Sequence, residues 1–253
     1  MKKIGVIASN KNKQAIEKLD LLVKKYSFTT KLDDVDLIVV IGGDGFMLHC
    51  LHNYDHVPLY GINFGLVGFL MNQFDDGYDL RKEIEESNIV DLYPLKMTAI
   101  DNLGSVKEHY AINEVSILRQ TYQAANIKIT INDKVRINRM VADGILVATE
   151  AGSTAYNLSA GGSIIPLGSN LMSLVPISVF RPRNWKGVLL PKDTKICFEV
   201  IDIDKRPCSA TADYFEVRNV TKIDVIQDYS KKYQILFNNK YSLQERIISE
   251  QFL

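Results

Sequence analysis

Apolar residues follow two regimes along this chain. Over the first ninety residues, short and fully apolar runs alternate with a helix-period segment. KIGVIAS (Lys3 to Ser9), LIVVI (Leu37 to Ile41) and VPLYGIN (Val57 to Asn63) read as strands. A run without polar alternation belongs to a parallel sheet covered on both faces. Between the first two, Ile16, Leu19, Leu22, Val23 and Tyr26 recur at helical spacing and predict one buried face. Short helices are predicted near Phe46 to Asn53 and Asp79 to Glu86. The alternation predicts an open α/β domain over residues 1–92.

From about Tyr93 the pattern changes. KMTAI, HYAINEVSIL, NIKITIN, VRINRM, GILVAT, KICFEVI and KIDVIQD are short β-rich runs separated by Gly, Asn and Asp turn signals. They predict an antiparallel, β-sandwich-like domain over residues 93–234. The fold class expected is therefore α/β plus all-β. SLQERIISEQF, near the end, has a helical look; periodicity alone leaves open whether residues 235–253 return to the first domain.

Composition narrows the functions. Lys+Arg and Asp+Glu are each 30 of 253 residues, so the formal charge is zero. No global field draws the chain to a polyanion, and neither nucleic acid nor membrane is an expected partner. No stretch approaches the roughly 18 apolar residues of a membrane span, and MKKIGVIASN fits a first strand better than a signal peptide. Cys50, Cys197 and Cys208 have no paired metal-ligand spacing and read as reduced thiols of a cytoplasmic protein. His49, His52 and His56 lack the Cys or carboxylate neighbours of a metal site and read as surface or packing residues; no protein-held metal is expected.

The candidate chemistry begins where LIVVI runs into Gly42-Gly43-Asp44-Gly45. Glycines accept positive φ and hold no side chain between the backbone and a ligand, so a Gly-rich turn after a strand can offer amide N–H groups to phosphate. Neither a Walker loop nor a G-x-G-x-x-G fingerprint is present. An aspartate among such glycines repels a nucleotide unless it meets a cation, a hydroxyl or a proton in transfer. Phosphoryl transfer to an alcohol supplies all three. A tight strand-to-helix turn with Asp44 as helix N-cap explains the same residues, and the turn alone does not choose between the two.

Three further stretches choose: FGLVGFL (Phe64 to Leu70), INEVSIL (Ile112 to Leu118) and ADGILVATEAGSTAYNLSAGG (Ala142 to Gly162). With GGDG, in this order and spacing, the chain resembles the NAD kinases, which phosphorylate the adenosine-ribose 2′-hydroxyl of NAD to give NADP. The resemblance runs from Ile38 to about Asp213. It implies that Asp44 is the catalytic carboxylate, with Gly42, Gly43 and Gly45 as backbone contacts and Phe69 bordering the dinucleotide. It implies that Asn113 and Glu114 grip the adenosine portion, and that Thr154, Ala155, Tyr156 and Ser159 line the dinucleotide. Asp143 would contact the nicotinamide end, across a subunit boundary in a homo-oligomer, and Asp213 a ribose. Mg²⁺ and a phosphoryl donor, ATP or polyphosphate, are implied with them.

The chain departs from its relatives in three places. GGDGF replaces the usual GGDGT, so Phe46 removes a hydroxyl and adds a ring. Thr149-Glu150-Ala151 replaces Thr-Pro-Thr ahead of Gly152-Ser153, where a helix start is expected. LVPISVFRPRNWKGVLLP lacks the usual His-Pro-His type of segment, leaving Arg181 and Arg183 as basic candidates for the donor site. A lipid kinase with the same turn, or a dinucleotide sensor without turnover, are the other functions considered; Phe46 is the best motive for the sensor.

Overall fold

The computed structural model describes residues 2–65, 68–74, 77 and 79–238, and they form two compact units. One comprises the chain up to Leu92 together with the segment from Lys232 onward; the other is Tyr93–Lys231.

The first unit is an open α/β layer. Strands β1 (Ile4–Ala8), β2 (Leu37–Gly42) and β3 (Leu59–Asn63) run parallel, and α1 (Lys13–Tyr26) and α2 (Asp44–Asn53) connect them. Every residue of β2 is buried, as an apolar run without alternation requires. After α3 (Leu80–Glu85) comes β4 (Asn88–Leu92), at the sheet edge. On α1 the apolar face is rotated from the one expected: Ala15, Leu22 and Tyr26 are buried, Leu19 and Val23 half-buried, and Ile16 is 42% exposed. The small Ala15 lets the helix approach the sheet at the position the larger Ile16 was expected to fill.

The second unit is a pair of six-stranded antiparallel sheets around one core. Along the chain its strands are β5 (Leu95–Asp101), β6 (Val106–Ala111), β7 (Glu114–Arg119), β8 (Ala125–Ile131), β9 (Lys134–Ala142), β10 (Gly144–Ala148), β11 (Leu171–Ile177), β12 (Val188–Pro191), β13 (Ile196–Val200), β14 (Cys208–Ala212), β15 (Phe215–Val217) and β16 (Val220–Gln227). One sheet has the order β6-β5-β16-β13-β8-β9, the other β12-β11-β10-β7-β14-β15. Val115 and Ile117 of β7, Ile145 and Val147 of β10 and Ala210 of β14 point into the core against Met97, Ile127 and Phe198. The alternate residues of β7 and β14, including Glu114 and Thr211, therefore face outward. HYAINEVSIL, a single run in the sequence, is broken at Ile112-Asn113, where the chain leaves one sheet for the other.

The chain then returns to the first unit. β17 (Tyr233–Phe237) inserts between β3 and β4, parallel to one and antiparallel to the other. Its register is fixed from within: Asn72 Nδ2 donates to the Leu236 carbonyl at 2.9 Å, and Asn72 Oδ1 accepts from the Asn238 amide at 2.9 Å. YQILF carries no turn signals to mark it as a central strand. The helical expectation for SLQERIISEQF lies outside the described residues.

Candidate active site

In the first unit β2 ends at Gly42 and α2 starts at Asp44, with Gly43 as N-cap in an extended conformation (φ −118°, ψ 179°). None of Gly42, Gly43 and Gly45 takes a positive φ; of the three, Gly42 alone has a tight neighbour. A Cβ on Gly42 would lie 3.0 Å from the Phe46 ring, and one on Gly43 3.7 Å from Gly65 Cα. Among the described residues nothing lies within 4 Å of a Cβ built on Gly45, which leaves that corner of the turn open.

Gly43, not Asp44, occupies the N-cap position of α2. The Asp44 carboxylate reaches to the second glycine loop, where Oδ2 accepts the Phe69 amide at 2.8 Å and Oδ1 the Leu70 amide at 3.0 Å. The two loops are joined again by the Phe64 amide donating to the Gly42 carbonyl at 2.7 Å. Asn63 accepts from the Gly65 amide, and Asn12 donates to the Phe64 carbonyl. The carboxylate at the strand end is thus held in one orientation by backbone donors from another loop. Phe46 lies over Gly42 and stacks on His49, whose ring also lies 3.2 Å from Asn53 Nδ2.

The second unit gathers another group of candidates. Asn113 and Glu114 stand at the crossing from β6 to β7. Asp213, in the left-handed region (φ 52°), accepts three successive amides there: Ile112 at 2.8 Å on Oδ2, and Asn113 at 2.9 Å and Glu114 at 3.3 Å on Oδ1. Burial, reinforced by the charge of Asp213, pushes the Glu114 carboxyl up to about 7, and a hydrogen bond from the Tyr156 amide partly opposes the rise. Among the described residues Glu114 Oε2 and Asn113 Oδ1 are buried without a hydrogen-bond partner. Unsatisfied acceptors on two consecutive residues can take donors such as sugar hydroxyls or a base amine.

Tyr156 packs on the outward-facing Leu146, Ala148 and Val175. Burial raises its phenol above the ordinary value, and the charges of Glu114 and Asp143 add to the rise. Thr154 closes a short 3-10 turn, Ala151–Thr154; Ala155 links it to α4 (Tyr156–Ser159), on which Ser159 is exposed. Asp143 stands apart from Glu114: it precedes β10, whose far end, Ala148, pairs with Glu114. Its carboxylate pairs with Arg119 Nε. Asp213 and Asp143 each have a structural task that the sequence did not reveal.

Both halves of the chain match one family. Residues 3–84 match the ATP-NAD kinase N-terminal domain and residues 112–224 the ATP-NAD kinase C-terminal domain. The chain belongs to the ATP-NAD kinase family. It is 47% identical over 245 residues to the NAD kinase of Rickettsia typhi, covering 96% of this chain and 95% of that protein. To the NAD kinase of Rickettsia bellii it is 45% identical over 254 residues, covering 100% and 98%. The fold is shared with the crystal structure of yeast NADH kinase complexed with NADH (TM-score 0.82, 20% identity, 100% of this chain and 87% of that one). It is shared also with an NAD kinase from Archaeoglobus fulgidus in complex with ATP (TM-score 0.77, 23% identity, 94% of each chain). The activity of the family, and of this member, is that of an NAD kinase, a phosphotransferase. No helix among the described residues is long and apolar enough to cross a membrane.

Several residues of this NAD kinase support the candidate site through contacts that the sequence did not show. Thr149 Oγ1 donates to the Ile112 carbonyl at 2.6 Å and accepts the Gly152 amide at 3.0 Å, while its amide donates to the Asn113 carbonyl at 2.9 Å. A Cβ on Gly152 would stand 2.1 Å from that carbonyl oxygen, so only glycine allows the 3-10 turn to press against Asn113. Ser153, expected at a helix start, lies in the 3-10 turn that begins at Ala151 and buries its hydroxyl against Ile165. A Thr-x-x-Gly spacing is the one cue that a reader of the sequence could have used. Arg181, considered for the donor site, lies over the Phe180 ring.

Proposed function

We propose that this NAD kinase transfers the terminal phosphoryl group of ATP to the 2′-hydroxyl of the adenosine ribose of NAD, with Asp44 orienting that hydroxyl and accepting its proton. The observation that carries this reading is the orientation of the Asp44 carboxylate by the Phe69 and Leu70 amides, beside the open corner at Gly45. A carboxylate fixed before the substrate arrives needs no reorganisation during reaction, and phosphoryl transfer depends chiefly on positioning and charge neutralisation. Gly42, Gly43, Gly45 and Phe69 form the backbone walls of this part of the site. Glu114 and Asn113, with their buried free acceptors, take sugar hydroxyls and the base edge. Thr154, Ala155, Tyr156 and Ser159 line the dinucleotide, and Asp213 holds the Asn113-Glu114 backbone for it.

Among the described residues no group of three His, Cys, Asp or Glu side chains is placed to hold a metal ion. Mg²⁺ would accompany the donor phosphates and neutralise their charge. ATP is the donor we favour, with polyphosphate as the other. Asp143, paired with Arg119 and partly exposed, suits the nicotinamide end in a homo-oligomer. The three free cysteines, Cys50 and Cys208 buried, suit a cytoplasmic setting.

The test is NADP formation from NAD, Mg²⁺ and ATP by the purified protein and by Asp44→Asn. The amide keeps the shape of the carboxylate but takes no proton. Activity in the parent with a loss of roughly a hundredfold or more in kcat for the variant is expected; a variant of near-parental kcat refutes the role given to Asp44.

A further inference from the structure

Between β10 and β11 the chain makes the excursion that carries Thr154, Ala155, Tyr156 and Ser159, and three side chains close it in nested rungs. Innermost, Asn157 Nδ2 donates to the carbonyls of Ser153 and Ser163, both at 2.9 Å. Next, Ser153 Oγ accepts the Ile165 amide at 2.9 Å and donates to the Glu150 carbonyl at 2.7 Å. Outermost, the Glu150 carboxylate accepts the Gly168 amide at 2.7 Å, the Asn170 amide at 2.6 Å and the Ser169 hydroxyl at 3.3 Å. Gly168 (φ 83°) and Asn170 (φ 61°) both take left-handed backbone, and their two amides converge on one anion. The closing side chains fall at i, i+3 and i+7, and the residues assigned to the dinucleotide fall between and beyond them.

We propose that Glu150 is a positioning residue for dinucleotide binding. Its carboxylate latches the base of the excursion and so holds Thr154 to Ser159 in the arrangement that meets NAD. The proposal rests on the reading that this segment lines the dinucleotide. Glu150 stands where the relatives usually carry proline, and its backbone (φ −56°, ψ −44°) lies within the range that proline enforces. Rigidity that a ring would have built into residue 150 comes instead from charge-assisted hydrogen bonds across the mouth of the loop. Ser153 and Asn157 are fully buried, whereas Glu150 is half-exposed, so its carboxylate can be removed without leaving a cavity.

Glu150→Ala tests this through two readouts on the purified enzyme. Hydrogen exchange of peptides covering residues 151–170, measured without NAD, is expected to quicken. The KM for NAD is expected to rise roughly three- to tenfold, with kcat and the KM for ATP within about twofold. Glu150→Gln, which keeps one acceptor oxygen, is expected to fall between the two and serves alone if the alanine variant does not fold. Unchanged exchange overturns the latch. Faster exchange with an unchanged KM for NAD leaves the latch standing but removes its role, and with it the assignment of Thr154 to Ser159. A fall in kcat at constant KM overturns the positioning role.

Discussion

Asp213 acts on Glu114 in two opposed ways: its Oδ1 accepts the Glu114 amide at 3.3 Å, fixing the backbone, while its negative charge disfavours the ionised Glu114 side chain. The site is therefore well positioned and electrostatically uneasy at once. Under the proposed function the ligand satisfies these groups in place of the protein, a trade of stability for function.

Glu114 makes the trade measurable. Its ordinary value near 4.5 is raised to about 7 in the folded protein. The folded state thus binds a proton more tightly than the unfolded one between those limits, and stability falls as pH rises from about 4.5 to about 7, with no further change above. Glu114→Gln imitates the protonated form. We expect it to stabilise the NAD-free protein at pH 8 by up to about 3 kcal/mol, with the gain shrinking towards pH 4.5, and to weaken NAD binding. Denaturant melts of both proteins at pH 5 and pH 8 would contradict this if the variant were the less stable at pH 8.

Asp213→Asn leaves at most one acceptor for three amides and turns an NH₂ towards their N–H groups. A loss of about 1–3 kcal/mol is expected, together with a downward move of the Glu114 titration as the repelling charge disappears. Carboxyl ¹³C chemical shifts of Glu114 in parent and variant report the second effect; a titration that stays in place would remove Asp213 from the electrostatics.

Two glycines should respond in opposite ways. Gly152→Ala drives a Cβ into the Asn113 carbonyl and is expected to destabilise by about 2 kcal/mol or more. Gly45→Ala meets open space in the first turn of α2 and should stabilise the fold by about 0.5–1 kcal/mol. Its activity should nevertheless drop if, as proposed, the open corner belongs to the site, because the added methyl occupies that room. Thermal melts paired with NADP formation check both; full activity in Gly45→Ala would mean that the open corner is not used.

Asp44→Asn should also weaken the tie between the two glycine loops, since an amide can accept only one of the two N–H groups without an inversion of its other half. A loss of about 1 kcal/mol is expected, small beside the kinetic loss. Urea melts separate the two; a large collapse in stability would make Asp44 chiefly a structural clamp.

The sequence by itself determined the apolar β2 run, the switch from α/β to all-β near Tyr93 and the residues of the family resemblance, because each is written in local spacing: buried strands in continuous apolar runs, antiparallel ones in turn-punctuated β-rich runs, the NAD kinase signature in GGDG, INEVSIL and GSTAYNLSAGG. Only the tertiary structure decided that β17 fills the gap between β3 and β4, that Asp44 is held by amides 25 and 26 residues away, that Asp213 secures a strand start about a hundred residues before it, and that Glu150 closes its loop at Gly168 and Asn170. These contacts join segments far apart in sequence through backbone N–H and C=O groups. Every residue but proline carries both groups, so nothing in the partner's side chain announces the bond.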